Sequence, residues 1–474
     1  MENTQNQTPF WLITFAVLVG LTLPVLIQDG MFLDAVYYSC ISHNLSQGIG
    51  NFWFAVYNEE GRIGIKTFHE QPPLAFGIQA VFFRLLGDSI YTERIYTFLM
   101  LLLAAWLIHK LWREIFREDS RVAALSWLPI LLWVTMPVCF WSYRNNMCEN
   151  TMAFFSLAAI WLLYKYTRNN KWWLLIIASV MILAATMSKG LPGLFPIAFP
   201  LFAYRIAQRL TLKQALVATL VLLAMLALLL AIILAIPDAK ASLSIYFFQR
   251  LLGRIGSDPT VGSHFATLGY LVQELIASSI LLLIAIVIKY RNGKAWNYTT
   301  HSTQAWLMIA VGLSGTLPLM LTLVQKPFYM VAALPFFALG MAIWLAPAVL
   351  TAIDYYLSTI KAQLVLKCVG IVGIIFSIAL TTAMYGKASR DNNVLQDAHT
   401  IGNIIGKQER VTASEDLYND LLLLNYLMRN YNIDLVHSHT SQYYLRATTS
   451  SEHPTAAYQK VPCPLLHYEL YKRQ

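Results

Sequence analysis

Apolar runs of about 20 residues recur along this chain, each long enough to cross a bilayer as a helix. They fall at roughly 10–28, 95–109, 122–140, 151–166, 172–188, 191–206, 214–236, 266–288, 304–324, 327–350 and 365–385. A helix satisfies all its backbone polar groups within itself, which lipid demands. The pattern therefore predicts an all-α polytopic membrane protein with about eleven transmembrane helices. The runs between 151 and 206 are short and open to being tilted, broken or partly re-entrant. Composition agrees: of 474 residues, 57% are hydrophobic and 12% charged, where a soluble protein carries about 25% charged.

The distribution of charge gives an orientation and excludes a nucleic-acid partner. The net charge is +9, yet the basic residues form no single patch or tail. Lys110, Arg113, Arg117 and Arg121 lie between the second and third runs. Lys165, Arg168 and Lys171 follow the fourth, and Arg205, Arg209 and Lys213 the sixth. Lys289, Arg291 and Lys294 follow the eighth, and Lys361 and Lys367 the tenth. Every second loop is basic, which marks these loops as cytoplasmic. The N-terminus is then expected inside and the C-terminal tail outside. No Lys or Arg precedes the first run, unlike a cleavable signal, so that run reads as a retained helix. Five cysteines are too few and scattered for a disulfide framework or zinc site. Unpaired apolar cysteines are expected, with a Cys139–Cys148 bridge as the alternative.

Acidic residues collect on the other side. Asp29, Asp34, Glu59, Glu60, Glu70, Asp88 and Glu93 all lie in the first long loop, 29–94. Segments 34–46 and 74–87 of that loop can form helices with one apolar face, suited to the membrane interface. From 386 to 474 the chain becomes ordinary soluble sequence. A helix over 391–405, a strand at 409–414, an amphipathic helix over 416–430 and β-rich stretches at 432–438 and 442–449 predict a small α/β domain. Some ninety residues can hold a core. The expected organisation is a transmembrane domain over 1–385 and an extracytoplasmic domain over 386–474, without internal repeats.

Ionisable groups near membrane spans are costly and functional by default, and here they gather on the outer face. Asp34 leads Tyr37 and Tyr38 on the helix-like DAVYYSCISHNL. His69 and Glu70 stand in FHEQPPL (68–74), whose prolines hold the chain extended ahead of the second loop helix. TERIY (92–96) puts Arg94 at the mouth of the second span, and YRNNMCEN (143–150) places Arg144 and Glu149 on the next outer loop. SKGLPG (188–193) contributes Lys189, YFFQRLLGRIG (246–256) Arg250 and Arg254, and QKPFY (325–329) Lys326 and Tyr329. Asp34 fits a general base, with a helix cap or ion pair as the alternative. Glu149 either positions an acceptor or neutralises Arg94 or Arg144. Arg250 and Arg254 suit phosphate because guanidinium is a planar fork; Lys189 and Lys326 either join them or snorkel to the interface. His69 lacks a second histidine at ligand spacing, so packing is favoured over a metal. No metal and no other cofactor is expected.

Asp34, Tyr38 and Ile41 resemble the Asp-Glu-x-x-Tyr-x-x-Ile opening of the aminoarabinose lipid A transferases and the protein O-mannosyltransferases, both of the GT-C class of membrane glycosyltransferases. HEQPPLAF resembles their Lys-Pro-Pro-Leu motif, and TERIY, SKG-x-x-G and KPFYMVAALPF follow in the same order. The resemblance covers roughly residues 10–345. It implies a GT-C fold and transfer of a sugar from a polyprenyl phosphate to a hydroxyl of a lipid, glycan or protein. The setting it implies is the outer face of the cytoplasmic membrane, with inversion at the anomeric carbon. On this reading Asp34 is the base, with Glu149 at the same centre. Arg250, Arg254, Lys189, Lys326 and Arg94 face the donor phosphate, and Tyr38, His69, Glu70, Arg144 and Tyr329 line the substrate groove. The physical needs agree: a carboxylate takes the acceptor proton, and cations stabilise the leaving phosphate. Three positions depart from the family pattern. Ala35 replaces its second acid, Gln71 the lysine that lies near the donor phosphate in relatives, and Glu149 an aspartate. A flippase of lipid-linked sugars and a non-catalytic assembly subunit are the alternatives. Transporters, however, place charges at the midplane on broken helices, whereas these sit at the outer boundary.

Overall fold

The computed structural model describes residues 7–58, 66–253, 259–292, 301–356, 359–418, 420–437 and 441–474. Glu59, Glu60, Arg254 and Lys294 fall outside them. Helices α1 (Thr8–Leu26) and α4 (Thr92–Ile115) flank the first long loop, which folds into α2 (Leu33–Ser46) and α3 (Leu74–Leu86). There follow α5 (Ser120–Ala123), α6 (Trp127–Val134), α7 (Pro137–Arg144), α8 (Cys148–Asn169), α9 (Trp173–Lys189) and α10 (Phe199–Arg205). The bundle closes with α11 (Leu212–Leu234), α12 (Pro237–Ser244), α13 (Ala266–Asn292), α14 (Ser302–Thr316), α15 (Leu334–Tyr356) and α16 (Ile360–Met384).

By length and composition, seven of the described helices can cross a membrane, or eight if one bent pair counts as a single span. The shortfall from eleven has local causes. The run expected at 122–140 breaks at Met136, and its arms, Ser120–Val134 and Pro137–Arg144, meet at 78°. Pro137 has no N–H to give and holds Met136 extended. The new helix start is capped from across the bundle, where Glu274 Oε2 of α13 accepts from the Val138 N–H at 2.9 Å. The run at 191–206 is a 3-10 segment, Leu191–Ala198, followed by the short α10, with Pro192, Pro196 and Pro200 interrupting it. α8 is long but polar at both ends, and α9 has 17 residues. These two pack on each other and α8 packs on α4, so protein covers much of their surface.

α1 and α16 pair closely because small residues face each other. A Cβ at Gly370 would lie 2.6 Å from Leu12 Cβ, and one at Gly20 would lie 2.7 Å from Ser377 Oγ. Ser377 Oγ also donates to the Ala16 carbonyl at 3.1 Å. Close backbone approach of this kind drives helix association in lipid.

The two loop helices form where the sequence places them, but α2 differs in environment from the expected interfacial helix. It is buried along nearly its whole length, with α3 on one side and the tail on the other. The tail comprises α17 (Asn392–Ile405), β1 (Arg410–Ala413), α18 (Glu415–Tyr418), α19 (Leu421–Tyr431), β2 (Asp434–Val436), β3 (Tyr443–Ala447), β4 (Tyr458–Lys460) and β5 (Tyr468–Arg473). The sheet runs β2-β1-β3-β5-β4; β1 is parallel to β2 and β3, and β5 antiparallel to β3 and β4. The single helix expected over 416–430 is two, α18 and α19. Asp420 caps α19, accepting from the N–H groups of Leu422 and Leu423 at 2.9 and 3.3 Å.

Ion pairs at two points help to fix the tail to the first loop. Arg429, 2% exposed, pairs with Glu93 at 2.7 Å and Asp88 at 3.1 Å. His399 Nε2 stands 2.8 Å from Asp29 Oδ2. Burial pushes the Asp29 carboxyl up, but His399 and Arg94 outweigh it and leave it below its ordinary value. Replacing Gly370 with leucine is expected to force α1 and α16 apart and cost about 1–3 kcal/mol. A lowered unfolding midpoint in detergent, against wild type, measures the effect.

Candidate active site

Helix ends and turns bring the candidate side chains together. Phe32, extended, donates its N–H to Asn145 Oδ1 at 2.7 Å just before α2 begins. Asp34 therefore sits in the first turn, where the helix dipole favours negative charge, and Tyr38 lies one turn on along the same face. α9 ends at Lys189 because Gly190 takes φ +95°, and a Cβ there would strike the Tyr246 hydroxyl. Arg250 stands on the π-helical turn Ile245–Leu251, Tyr329 on the 3-10 turn Pro327–Met330, and His69, Glu70 and Gln71 on the irregular stretch before the paired prolines.

Together they surround a cavity of about 220 Å³. Asp34, Glu70, Lys189 and Arg250 line it with charge, Tyr37, Tyr38, Tyr57, Phe68 and Tyr329 with aromatic rings, and Gln71 and Asn425 with amides. Burial raises the Asp34 carboxyl above its ordinary value; Lys189 opposes that shift, and Glu149 and Glu70 reinforce it. The result is a stronger proton acceptor than a surface aspartate. His69 shifts the other way, its pKa lowered by burial and by Arg250. Its Nδ1 lies 3.1 Å from Ser242 Oγ and its Nε2 2.9 Å from Thr67 Oγ1, so the ring ties the irregular stretch to α12. Among the described residues no group of three or more His, Cys, Asp or Glu is placed to hold a metal ion. Cys139 and Cys148 are free thiols, as are the other three cysteines.

Glu149 lies behind the wall of the cavity, in the first turn of α8 and 0% exposed. It pairs with Lys189 at 2.9 Å. The Lys189 ammonium also stands 3.3 Å from the Tyr38 hydroxyl and 5.4 and 5.8 Å from the rings of Tyr38 and Tyr329. Neither Arg94 nor Arg144 lines the cavity. Arg94 reaches the Gln28 carbonyl at 3.2 Å and Asp29 at 3.6 Å, which supports the tail clasp. Arg144 donates to the Leu21 carbonyl and stacks over Phe140 at 4.7 Å. Lys326 is exposed beside the cavity, close enough for its charge to act on Asp34.

Sequence reasoning missed Tyr57, Phe68, Leu421 and Asn425 as lining residues. Asn425 left one trace, an amide set within the leucine-rich face of an amphipathic helix.

A multi-span bundle, two loop helices beneath a small α/β domain, and a cavity of acids and cations at their junction make up the GT-C fold of membrane glycosyltransferases. Residues 70–237, about a third of the chain, match the model of the dolichyl-phosphate-mannose-protein mannosyltransferase family. The structure is similar to that of ArnT from Cupriavidus metallidurans bound to undecaprenyl phosphate, with TM-score 0.66 and 14% identity over 98% of each chain. It is similar to the apo state of that ArnT, with TM-score 0.62 and 15% identity over 96% of this chain and 95% of the other. The apo oligosaccharyltransferase of Archaeoglobus fulgidus follows at TM-score 0.55 and 15% identity, over 92% of this chain and 65% of that one. No curated protein matches the sequence.

Removing one partner of a buried ion pair leaves the other charge uncompensated, at a cost of roughly 3–5 kcal/mol. Lys189→Met is therefore expected to lower stability sharply, and Lys189→Met with Glu149→Gln to recover most of the loss. Unfolding midpoints of the three proteins in detergent check this.

Proposed function

We propose that the protein transfers a sugar from a polyprenyl-phosphate donor to a hydroxyl of a lipid, glycan or protein acceptor. The observation that carries this reading is the cavity itself, where the half-buried carboxyl of Asp34 faces the same space as Lys189 and Arg250. In the step, the acceptor oxygen attacks the anomeric carbon as Asp34 takes its proton. The bond from that carbon to the phosphate oxygen breaks, and its electron pair leaves with the polyprenyl phosphate. One base and one displacement give inversion. Arg250 carries most of the charge stabilisation, because Lys189 is already paired with Glu149 and serves chiefly to orient the phosphate. Lys326 lies on the donor's approach, and Tyr38, His69, Glu70 and Tyr329 shape the groove around the sugar. The similarity to an ArnT that was bound to undecaprenyl phosphate supports a lipid-linked donor.

In the same reading residues 1–385 form the multi-pass domain in the cytoplasmic (inner) membrane, and residues 386–474 an extracytoplasmic domain beside the site. The alternation of basic loops supports this orientation.

Purified protein in proteoliposomes, given labelled polyprenyl-phosphate sugars and a membrane extract, tests the reading. Wild type is expected to move label to a new product and Asp34→Asn to lose about 10²–10⁴-fold. Full turnover by Asp34→Asn removes Asp34 from the mechanism, and no transfer by wild type from any donor overturns the function. A base with a raised pKa is lost as pH falls through that raised value. The acid limb of kcat/KM for wild type is thus expected to lie above the ordinary aspartate range; a limb within that range argues against Asp34.

A further inference from the structure

The charged side chains of the cavity all come from the first 250 residues, yet one of its walls is supplied by the tail. We propose that the C-terminal domain is a working part of the site, and that Asn425 is a positioning residue which sets Tyr57 and the start of α2, and through α2 the carboxyl of Asp34. The proposal rests on the glycosyltransferase reading above and names a function for a domain that lies outside the matched stretch 70–237.

Leu421, Asn425 and Arg429 follow one another at intervals of four and so share one face of α19. Arg429 is the anchor, held by Glu93 and Asp88 and by the Ser89 carbonyl at 2.8 Å, with its guanidinium 4.8 Å from the ring of Phe83. The same face delivers Leu421 and Asn425 to the cavity. Asn425 is 1% exposed, and a buried amide is stable only with its polar atoms engaged. Its Oδ1 accepts from the Tyr57 hydroxyl, its Nδ2 donates to the Leu33 carbonyl at 3.4 Å, and its backbone carbonyl accepts from Cys40 Sγ at 3.4 Å. The next residue, Tyr426, donates its hydroxyl to Asp391 Oδ2 at 2.9 Å, within the tail, and the Met31 carbonyl stands 3.4 Å from the same oxygen.

The backbone leading into Asp34 is thus held from the tail at Leu33. This matters because Phe32, at the start of α2, offers no side-chain cap. Tyr57 extends the effect to the opposite wall. Its ring lies 4.3 Å from that of Tyr37, which meets Phe68 at 5.4 Å, so three aromatic lining residues lean on the bond between Tyr57 and Asn425. Neither Leu421 nor Asn425 can supply acid, base or charge. Their contribution is placement, and small misplacements of a reacting group are expensive in rate.

The test uses full-length protein in proteoliposomes, with a labelled polyprenyl-phosphate sugar as donor and membrane extract as acceptor. Wild type, Tyr57→Phe, Asn425→Leu and the double variant are compared for kcat, donor KM and unfolding midpoint. Each single variant is expected to lose roughly tenfold in kcat with donor KM nearly unchanged. The double variant is expected to be no worse than the poorer single one, as for a coupled pair. Wild-type kcat in either single variant overturns the proposal, and so do losses that multiply in the double. Tyr57→Phe removes one hydroxyl only, so the test stands even where Asn425→Leu fails to fold. An inactive wild type removes the glycosyltransferase reading and this proposal with it; active wild type with unaffected variants removes the positioning role alone.

Discussion

A lysine and a glutamate, both withdrawn from water, lock the helix ends beneath the cavity. Glu149 opens α8 and Lys189 closes α9, so each charge lies at the helix terminus whose dipole favours it. The helices are consecutive and pack against each other, which brings the end of one beside the beginning of the other. Burying either charge alone is prohibitive; burying both at 2.9 Å is tolerable. The pair also decides what the cavity can do. An ammonium already matched by a carboxylate, with two phenol rings around it, is a fixed point of reference. In the proposed reaction it is Arg250, on its irregular turn, that meets the phosphate.

Much of this was legible in the sequence, and the limits have physical causes. Long apolar runs bounded by charge became helices, and the short polar-flanked loop segments became α2 and α3. The expected site residues that do converge, Asp34, Tyr38, His69, Glu70, Lys189, Arg250 and Tyr329, were visible because ionisable and aromatic groups at span ends are conspicuous. Depth was not visible. Glu149 and Arg94 carry the same signature as Asp34, but one stands behind the wall and the other serves the tail. About eleven spans were expected and seven or eight of the described helices qualify by length and composition, in part because prolines within apolar runs, at 137 and from 192 to 200, break helices that still read as apolar. Asn425 was hidden for a different reason, since its partners are hundreds of residues away in the chain.

The tail's clasps are polar, and the first of them is almost wholly buried. Arg429 alone engages two carboxylates and a carbonyl, while His399 holds Asp29 in the turn ahead of α2. The domain is seated by directional bonds as well as by buried apolar contact, which fixes its angle as well as its place. Such seating is needed if a neutral side chain is to shape a pocket to within fractions of an ångström.

The order in which the ribosome makes these parts gives the arrangement a temporal side. By the end of α16 the nascent chain already holds the acid and the cations, drawn from segments far apart in sequence but adjacent in the bundle. The cavity is still a cleft, open where α19 has yet to arrive. It closes only when α19, made after the whole bundle, folds back onto α2. Chains that stop short of α19 thus carry the acid and the cations without the enclosure.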